Sequence, residues 1–218
     1  MKAVGETEVE RLLSIGSDAL APHPAGAPRL LESYFLGDEL FRMLQRKNGF
    51  YAFEMAFHVF PVSSPDFMSV EEWNSDSLWR AGYGDLARGL LFFAEDIFQD
   101  QFCLSADGIV RFEAETGKTS TVACSIEEWA RKVRRDYHQE TGWHLANRWQ
   151  AAHGQLPIGK RLMPKTPFFL GGAYSLDNLW VGDAIEGMRF KADMASQVNN
   201  LPEGSQVRLV FEKKPRLQ

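Results

Sequence analysis

The first fifty residues show a helical pattern of hydrophobic positions, interrupted once. Residues 6–15 repeat apolar side chains at helical spacing and begin with acidic ones, which predicts a short amphipathic helix. Residues 21–28 (APHPAGAP) contain three prolines and a glycine and predict an irregular loop. A broad apolar face predicts a second helix over 33–46, and Asn48-Gly49 ends it.

After residue 49 the period shortens to the two residues typical of strands. Residues 50–61 alternate between large apolar and other side chains, which predicts one half-buried strand. Ser69 and Glu72 have the spacing of a capping box for a short helix. Short apolar runs separated by turn residues then predict an antiparallel meander. The runs cover residues 90–98, 100–105, 108–113 and 119–125.

The last part of the chain begins with a long helix and then loses regularity. Ser125 caps the helix, which is predicted to reach Trp149 with an interruption at Gly142. A loop rich in proline and glycine over 153–174 follows. The pattern then predicts three elements: a strand at 175–182, a helix at 183–201 and a closing strand at 206–212.

The order of these elements predicts the fold class. Helices and antiparallel strands without βαβ alternation indicate an α+β fold, an antiparallel meander flanked by helices. We expect residues 1–150 to form one domain. Residues 151–218 would be a C-terminal extension packed on it, or part of the same domain.

Composition supports a folded protein and limits where it works. The chain has 218 residues, 44% of them hydrophobic and 24% charged, as in ordinary globular proteins. No apolar run is long enough for a membrane helix, and Glu6, Glu8 and Glu10 stand where a signal peptide would be apolar. We therefore expect a cytoplasmic protein with no membrane partner. Cys103 and Cys124 are expected to be buried free thiols.

Acidic residues are concentrated in one segment. The net charge is −5, but residues 66–100 alone carry eight acids against Arg80 and Arg88, a local charge of −6. Such a balance argues against nucleic acid as a partner, since phosphate binding needs clustered lysine and arginine. It is compatible with a basic protein partner. The alternative is that the segment is a solvated face.

The chain lacks the common catalytic motifs. Phosphate-binding loops, GxSxG and HExxH are absent, and the five histidines are isolated, so no cofactor and no metal are expected. Glu95, Asp96, Asp100 and Asp107 form the best carboxylate cluster for acid–base chemistry. A turn role is favoured for Asp107, which precedes Gly108. We therefore expect a protein that is not an enzyme.

Candidate partner-binding residues lie in the acidic segment. The acids are Glu71, Glu72, Asp76 and Asp85, interleaved with the aromatic residues Trp73, Trp79 and Tyr83. If exposed, tryptophan and tyrosine are the side chains that dominate interface energetics. The alternative is that each aromatic residue wedges between the short helix and the sheet.

Five short features follow one another in a fixed order over residues 30–135. They are Asn48-Gly49, Trp79, Glu95-Asp96 with Gln101-Phe102, Asp107-Gly108, and Ile126 with Trp129. In this order, rather than through one motif, the segment resembles the SUKH superfamily. Gln99 replaces a glycine found in many members.

The resemblance implies a non-enzymatic scaffold that binds other proteins. The superfamily includes bacterial immunity proteins and fungal regulators of cell-wall synthesis. It implies here an immunity protein that neutralises a cognate secreted toxin, such as a nuclease, by direct contact. Two alternatives remain: a regulatory scaffold of the cell-wall type, or an enzyme. The enzyme hypothesis predicts a cleft that holds Glu95, Asp96 and Asp100 with shifted pKa values.

Overall fold

A six-stranded antiparallel sheet organises the structure, a computed structural model that describes residues 5–202 and 204–208. Its strands pair in chain order, β1 to β6, so each is hydrogen-bonded to the next. The strands are β1 (Phe50–Ala52), β2 (Phe57–Val59), β3 (Leu91–Asp96), β4 (Gln101–Ser105), β5 (Gly108–Phe112) and β6 (Thr119–Ala123). The predicted α+β meander is confirmed.

Helices cover the sheet and continue beyond it. They are α1 (Glu8–Ile15), α2 (Arg29–Glu32), α3 (Gly37–Arg46), α4 (Val70–Trp73), α5 (Ile126–Arg135), α6 (Tyr137–Thr141), α7 (Trp143–His153) and α8 (Ala184–Val198). A 3-10 segment (Arg80–Ala87) follows α4. Both predicted helix starts at Ser69 and Ser125 are confirmed, because each hydroxyl accepts the backbone N–H of the third helical residue.

The central strands are buried on both faces. On one face, the rings of Phe57, Phe93 and Phe102 surround Trp129 of α5, with centroids 5.0 to 6.0 Å away. The other face is covered by α4, the 3-10 segment and α8, and Met188 of α8 lies in the same core. All six residues of β3 are therefore buried, which explains its apolar run from Leu91 to Ala94.

The predicted single strand over 50–61 is wrong, because the segment is a hairpin. β1 and β2 are joined by a turn in which Phe53, Glu54 and Met55 have φ of 51°, 54° and 70°. Such angles are rare outside glycine, so no turn signal was present in the sequence. Contacts with α6 and α7 hold the turn: Phe53 stacks on Tyr137 at 4.9 Å, and Gln150 donates to the Glu54 carbonyl.

The described residues after α7, which we call the C-terminal segment, pack on the six-stranded sheet through a second sheet and α8. Strands β7 (Lys160–Pro164) and β8 (Leu179–Asp183) pair with each other, although 153–174 was expected to be a loop. Ala184, Met188 and Ala192 join the main core. Residue 150, the expected boundary, lies inside α7, and Leu145 and Ala146 of that helix share a core cluster with Leu162 and Leu179 of β7 and β8.

Other sequence expectations need smaller corrections. The helix predicted at 33–46 is present only as α3, which begins at Gly37, and the separate short helix α2 precedes the predicted range. The long helix after Ser125 breaks before Tyr137 as well as at Gly142. Residues 206–208 have no regular structure, and the remainder of the strand predicted at 206–212 lies outside the described residues. Cys103 is buried as expected, whereas Cys124 is exposed.

Candidate functional site

Four acidic side chains of α4, the turn after α4 and the 3-10 segment are exposed to solvent: Glu71, Glu72, Asp76 and Asp85. We call these four residues the acidic surface. Glu72 also accepts the backbone N–H of Ser69 at 2.9 Å, which completes the capping box of α4. The backbone beneath these carboxylates is therefore fixed locally as well as by the core.

The aromatic residues of the same segment lie beneath the acidic surface, not on it. Trp73, Trp79 and Tyr83 are exposed by only 1%, 2% and 3%. The indole of Trp73 donates to Gln101 Oε1 at 2.9 Å, and the hydroxyl of Tyr83 donates to the Ala114 carbonyl at 2.7 Å. The expectation that these rings could contact a partner directly is wrong. They wedge between the short helix and the sheet, because burial of such large apolar rings is strongly favourable.

The surface charge of the acidic segment is smaller than its sequence suggests. Asp76 lies 3.6 Å from Arg80, and Asp85 forms an ion pair with Arg88, so half of the acidic surface has a basic neighbour. Both pairs are at least partly exposed and contribute little to stability. Glu95 and Asp96 belong to the same segment but are buried. Whether the acidic surface binds a partner stays a prediction.

The carboxylate cluster that the sequence suggested is divided between two faces of the sheet. Glu95 and Asp96 are neighbours in β3, and successive side chains of a strand point to opposite faces. Glu95 contacts His58 and Arg161 on the face covered by the C-terminal segment. Asp96 and Asp100 contact Arg111 instead. Asp107 is exposed in the turn between β4 and β5, the role favoured for it.

A buried polar network surrounds Glu95. Its Oε1 lies 2.7 Å from Arg161 Nη2 and 3.3 Å from His58 Nδ1, and its Oε2 accepts from Gln101 at 3.3 Å. Burial, the largest single effect, would raise the pKa of Glu95, but the guanidinium of Arg161 and the hydrogen bonds with His58 and Gln101 together outweigh it and hold the pKa below its ordinary value of 4.5. Arg161 belongs to β7, so this ion pair attaches the C-terminal segment to the sheet.

His58 is neutral in this environment. Burial lowers the pKa of His58 from 6.5 to about 4, although the adjacent carboxylate of Glu95 acts in the opposite direction. A neutral imidazole that donates through Nδ1 to Glu95 leaves Nε2 as an acceptor. Within the described residues this buried Nε2 has no hydrogen-bond partner.

A cleft of about 730 Å³ opens between the end of the sheet and the C-terminal segment. Its walls combine acidic, basic and aromatic side chains, and the ring of Phe168 stacks on Tyr174 at 3.9 Å. The lining includes Asp96, Asp100, Arg111, Glu113, Glu115, His138, His144, Arg148, Phe168 and Tyr174. Its volume is in the range of ordinary ligand sites.

The carboxylates of this cleft are used by the structure itself. Asp96 Oδ1 accepts the backbone N–H groups of Phe98 and Asp100, and its Oδ2 accepts from Arg111. Asp100 Oδ1 accepts the N–H of Ala114, and its Oδ2 lies 3.3 Å from Arg111. Burial raises the pKa of Asp96 to about 7, with Arg111 opposing that effect.

The cleft therefore matches the enzyme hypothesis only in part. It contains Asp96 and Asp100, and one of them has a raised pKa, but Glu95 faces away from it. Each oxygen of the two aspartates already accepts a backbone N–H or an arginine N–H, so both carboxylates have a structural role beside the cleft.

The described residues contain neither a metal-binding cluster nor a membrane-spanning helix. No three histidine, cysteine or acidic side chains among them are arranged to hold a metal ion. None of the helices in the described ranges combines the length and the apolar character required to cross a bilayer.

Comparison with known proteins identifies a structural neighbour but no family. No family model and no curated protein matches the chain. The crystal structure of Atu4351 from Agrobacterium tumefaciens is similar, with a TM-score of 0.54 and 16% sequence identity. The similarity covers 84% of this chain and 87% of that chain. At this identity it shows a shared fold.

Proposed function

We propose that this protein is a non-catalytic binding module, an immunity protein that neutralises a cognate secreted toxin by direct contact. The observation that carries the proposal is the acidic surface, four exposed carboxylates on a backbone anchored by buried aromatic rings. The SUKH resemblance of the sequence agrees with this proposal. A nuclease toxin, with a basic cleft for nucleic acid, is the partner class that such a surface complements.

Rigidity beneath the acidic surface supports a binding role. Trp73, Trp79 and Tyr83 form consecutive ring contacts, 5.3 Å and 5.7 Å between centroids, and Trp79 contacts Phe92 of β3 at 4.9 Å. A partner that binds above them does not have to order this backbone first. Preorganisation of this kind increases affinity without adding contacts.

The direct test is rescue from a toxin. A neighbouring gene for a large secreted protein with a variable C-terminal domain would supply the toxin domain, to be co-expressed with this chain. We expect the wild-type protein to restore growth and to co-purify with the toxin domain. Partners that include no toxin would favour the regulatory scaffold instead.

Charge reversal then locates the contact. The variant Glu71→Lys, Asp76→Lys, Asp85→Lys leaves Glu72 in place, because Glu72 caps α4. We expect its association rate to fall at least tenfold at low salt, since opposite charges steer association.

A matched control changes the same charge elsewhere. Glu32→Lys, Asp107→Lys, Asp177→Lys alters three exposed acids outside the acidic surface and should bind the toxin domain as the wild type does. Unchanged affinity of the first variant across salt concentrations would contradict the proposal.

A further inference from the structure

A small cavity lies beside the acidic surface, between β2, α4 and the C-terminal segment. Its volume is about 210 Å³. The walls are largely apolar and come from three parts of the chain, with His58 in one wall. They include Phe60, Phe67, Met68, Trp73 and Ile158. We call this space the anchor cavity.

The charged groups of the anchor cavity are acidic. Asp66, Glu95 and Asp183 line it, and no lysine or arginine of the described ranges does. Glu95 is neutralised by Arg161, and Asp183 both caps α8 and lies 3.3 Å from Lys160. Asp66 is exposed, and within the described residues its carboxylate has no recorded hydrogen bond or ion pair. The remaining negative charge of the cavity therefore comes mainly from Asp66.

His58 supplies the polar group of the interior. Its side chain is 6% exposed, Nδ1 faces Glu95, and Nε2 is buried without a partner within the described ranges. A buried acceptor that lacks a donor is unfavourable, so a donor brought into the cavity would improve the bonding of this network. No side chain or backbone N–H of the described residues supplies this donor, so a group that enters the cavity can do so.

The apolar walls, the His58 acceptor and the Asp66 carboxylate together determine which kind of side chain fits the anchor cavity. Apolar walls suit an aliphatic stem, an interior acceptor suits an N–H donor, and a carboxylate in the lining repels anions and attracts cations. Lysine and arginine side chains combine these three properties. An acidic or phosphorylated group would face Asp66, while the nearby bases Arg161 and Lys160 are already paired with Glu95 and Asp183.

The cavity and the acidic surface are parts of one region. Phe67 and Met68 of the cavity wall directly precede Ser69, which caps α4, and α4 carries Glu71 and Glu72. Trp73 borders the cavity and also supports the acidic surface from below. A single basic protein could therefore contact both.

We propose that the anchor cavity binds one lysine or arginine side chain of the protein partner, whose N–H group donates to His58 Nε2. The inference rests on the proposed function for the identity of the partner, but not for the chemistry of the cavity. The acidic surface would steer the partner, and the inserted side chain would hold it in one register.

The test uses a small probe, Nα-acetyl-lysine amide, and the imidazole nitrogen resonances of the full chain. The His58 signals are assigned by their loss in His58→Asn. We expect the probe to shift the Nε2 resonance of His58 in a saturable way. Nα-acetyl-norleucine amide, which has a similar stem but no ammonium group, should shift it much less.

Variants connect the shift to the cavity. Met68→Trp fills the space and should abolish binding of the lysine probe, and Ile158→Trp at an exposed position is a second blocking variant if the first does not fold. Asp66→Asn should weaken binding about two- to fivefold, the usual contribution of a partly exposed charge. Asp107→Asn is the matched control and should have no effect.

Each result supports or overturns the inference. Absence of a shift, an equal shift with the norleucine probe, or a shift retained in both blocking variants would overturn it. The proposed function fails differently, through failure of the toxin-rescue experiment. Probe binding without any toxin partner would leave the cavity assignment standing and would remove the immunity role.

Discussion

Gln99 and Gly187 approach so closely that a side chain on Gly187 would clash. An added Cβ there would lie 2.2 Å from Gln99 Oε1, while Gln99 Nε2 donates to the Ala184 carbonyl at 2.5 Å. Gln99 has φ of 70°, a left-handed conformation that glycine adopts most easily. The turn therefore has a backbone conformation that glycine favours, although glutamine occupies the position. The side chain of this glutamine attaches α8 to the sheet.

Because of this contact, we expect the effect of Gly187→Ala on the free energy of unfolding to change sign when Gln99 is replaced. Gly187→Ala should destabilise the wild-type protein by about 1–3 kcal/mol, because the added methyl group overpacks a buried contact. In a Gln99→Gly background the same substitution should stabilise by about 0.5–1 kcal/mol, since alanine is the better helix former. Urea unfolding of the four proteins measures both values. Ser196→Ala, at an exposed position of α8, should change stability equally in the two backgrounds.

The ion pair between Arg161 and Glu95 should dominate attachment of the C-terminal segment. Arg161→Met is expected to cost about 3–5 kcal/mol at pH 7, because Glu95 would remain buried without its cation. Adding Glu95→Gln should recover part of this loss. A single variant as stable as the wild type would contradict the prediction.

The loss from Arg161→Met should depend on pH. In the wild type, Arg161 keeps the pKa of Glu95 below 4.5, so the stabilisation is present above pH 4.5 and is lost as the pH falls further. In the variant, burial raises that pKa, and Glu95 becomes neutral at a higher pH. The deficit should therefore be smaller at pH 5 than at pH 7.5 in urea unfolding.

His58 should make the free energy of unfolding depend on pH between about 4 and 6.5. Its pKa falls from 6.5 to about 4 on folding, so the unfolded state binds more protons between these values and stability falls as the pH is lowered through them. The loss by pH 4 is about 3 kcal/mol. His58→Asn should flatten this part of the stability profile. The exposed His144→Asn should leave the profile unchanged.

The two cysteines should differ in reactivity. Cys124 is exposed and should react with a thiol reagent in the native protein, whereas burial raises the pKa of the Cys103 thiol and shields it. We expect the wild type to have one reactive thiol under native conditions and two in denaturant. The variant Cys124→Ser should have no reactive thiol under native conditions and one in denaturant. Two rapidly reacting thiols in the native wild type would show that the sheet opens around Cys103.

Local signals in the sequence predicted the meander well. The turn between β4 and β5 at Asp107, the caps at Ser69 and Ser125, and the break at Gly142 depend on neighbouring residues alone. The turn after Phe53 could not be predicted in this way. Three consecutive non-glycine residues adopt left-handed angles there, and distant contacts with Tyr137 and Gln150 accompany them.

The candidate site was less accessible to sequence reasoning. Glu95 and Asp96 are adjacent in the sequence, which suggests a cluster. Because successive side chains of a strand point to opposite faces, adjacency within β3 in fact separates the two carboxylates. Trp73 and Tyr83 could not be assigned to surface or core, since their local patterns fit both. The anchor cavity gave no signal at all, because its walls come from residues far apart in the chain.

The sequence by itself determined the α+β meander, its capped helices and an acidic segment, because periodicity, turn chemistry and charge act over a few neighbouring residues. The tertiary structure decided which acids reach solvent, how Glu95 finds Arg161, and where His58 meets a cavity. These three outcomes depend on the packing of β7 and α8 against strands that lie many residues earlier in the chain. Local sequence patterns do not predict such long-range contacts.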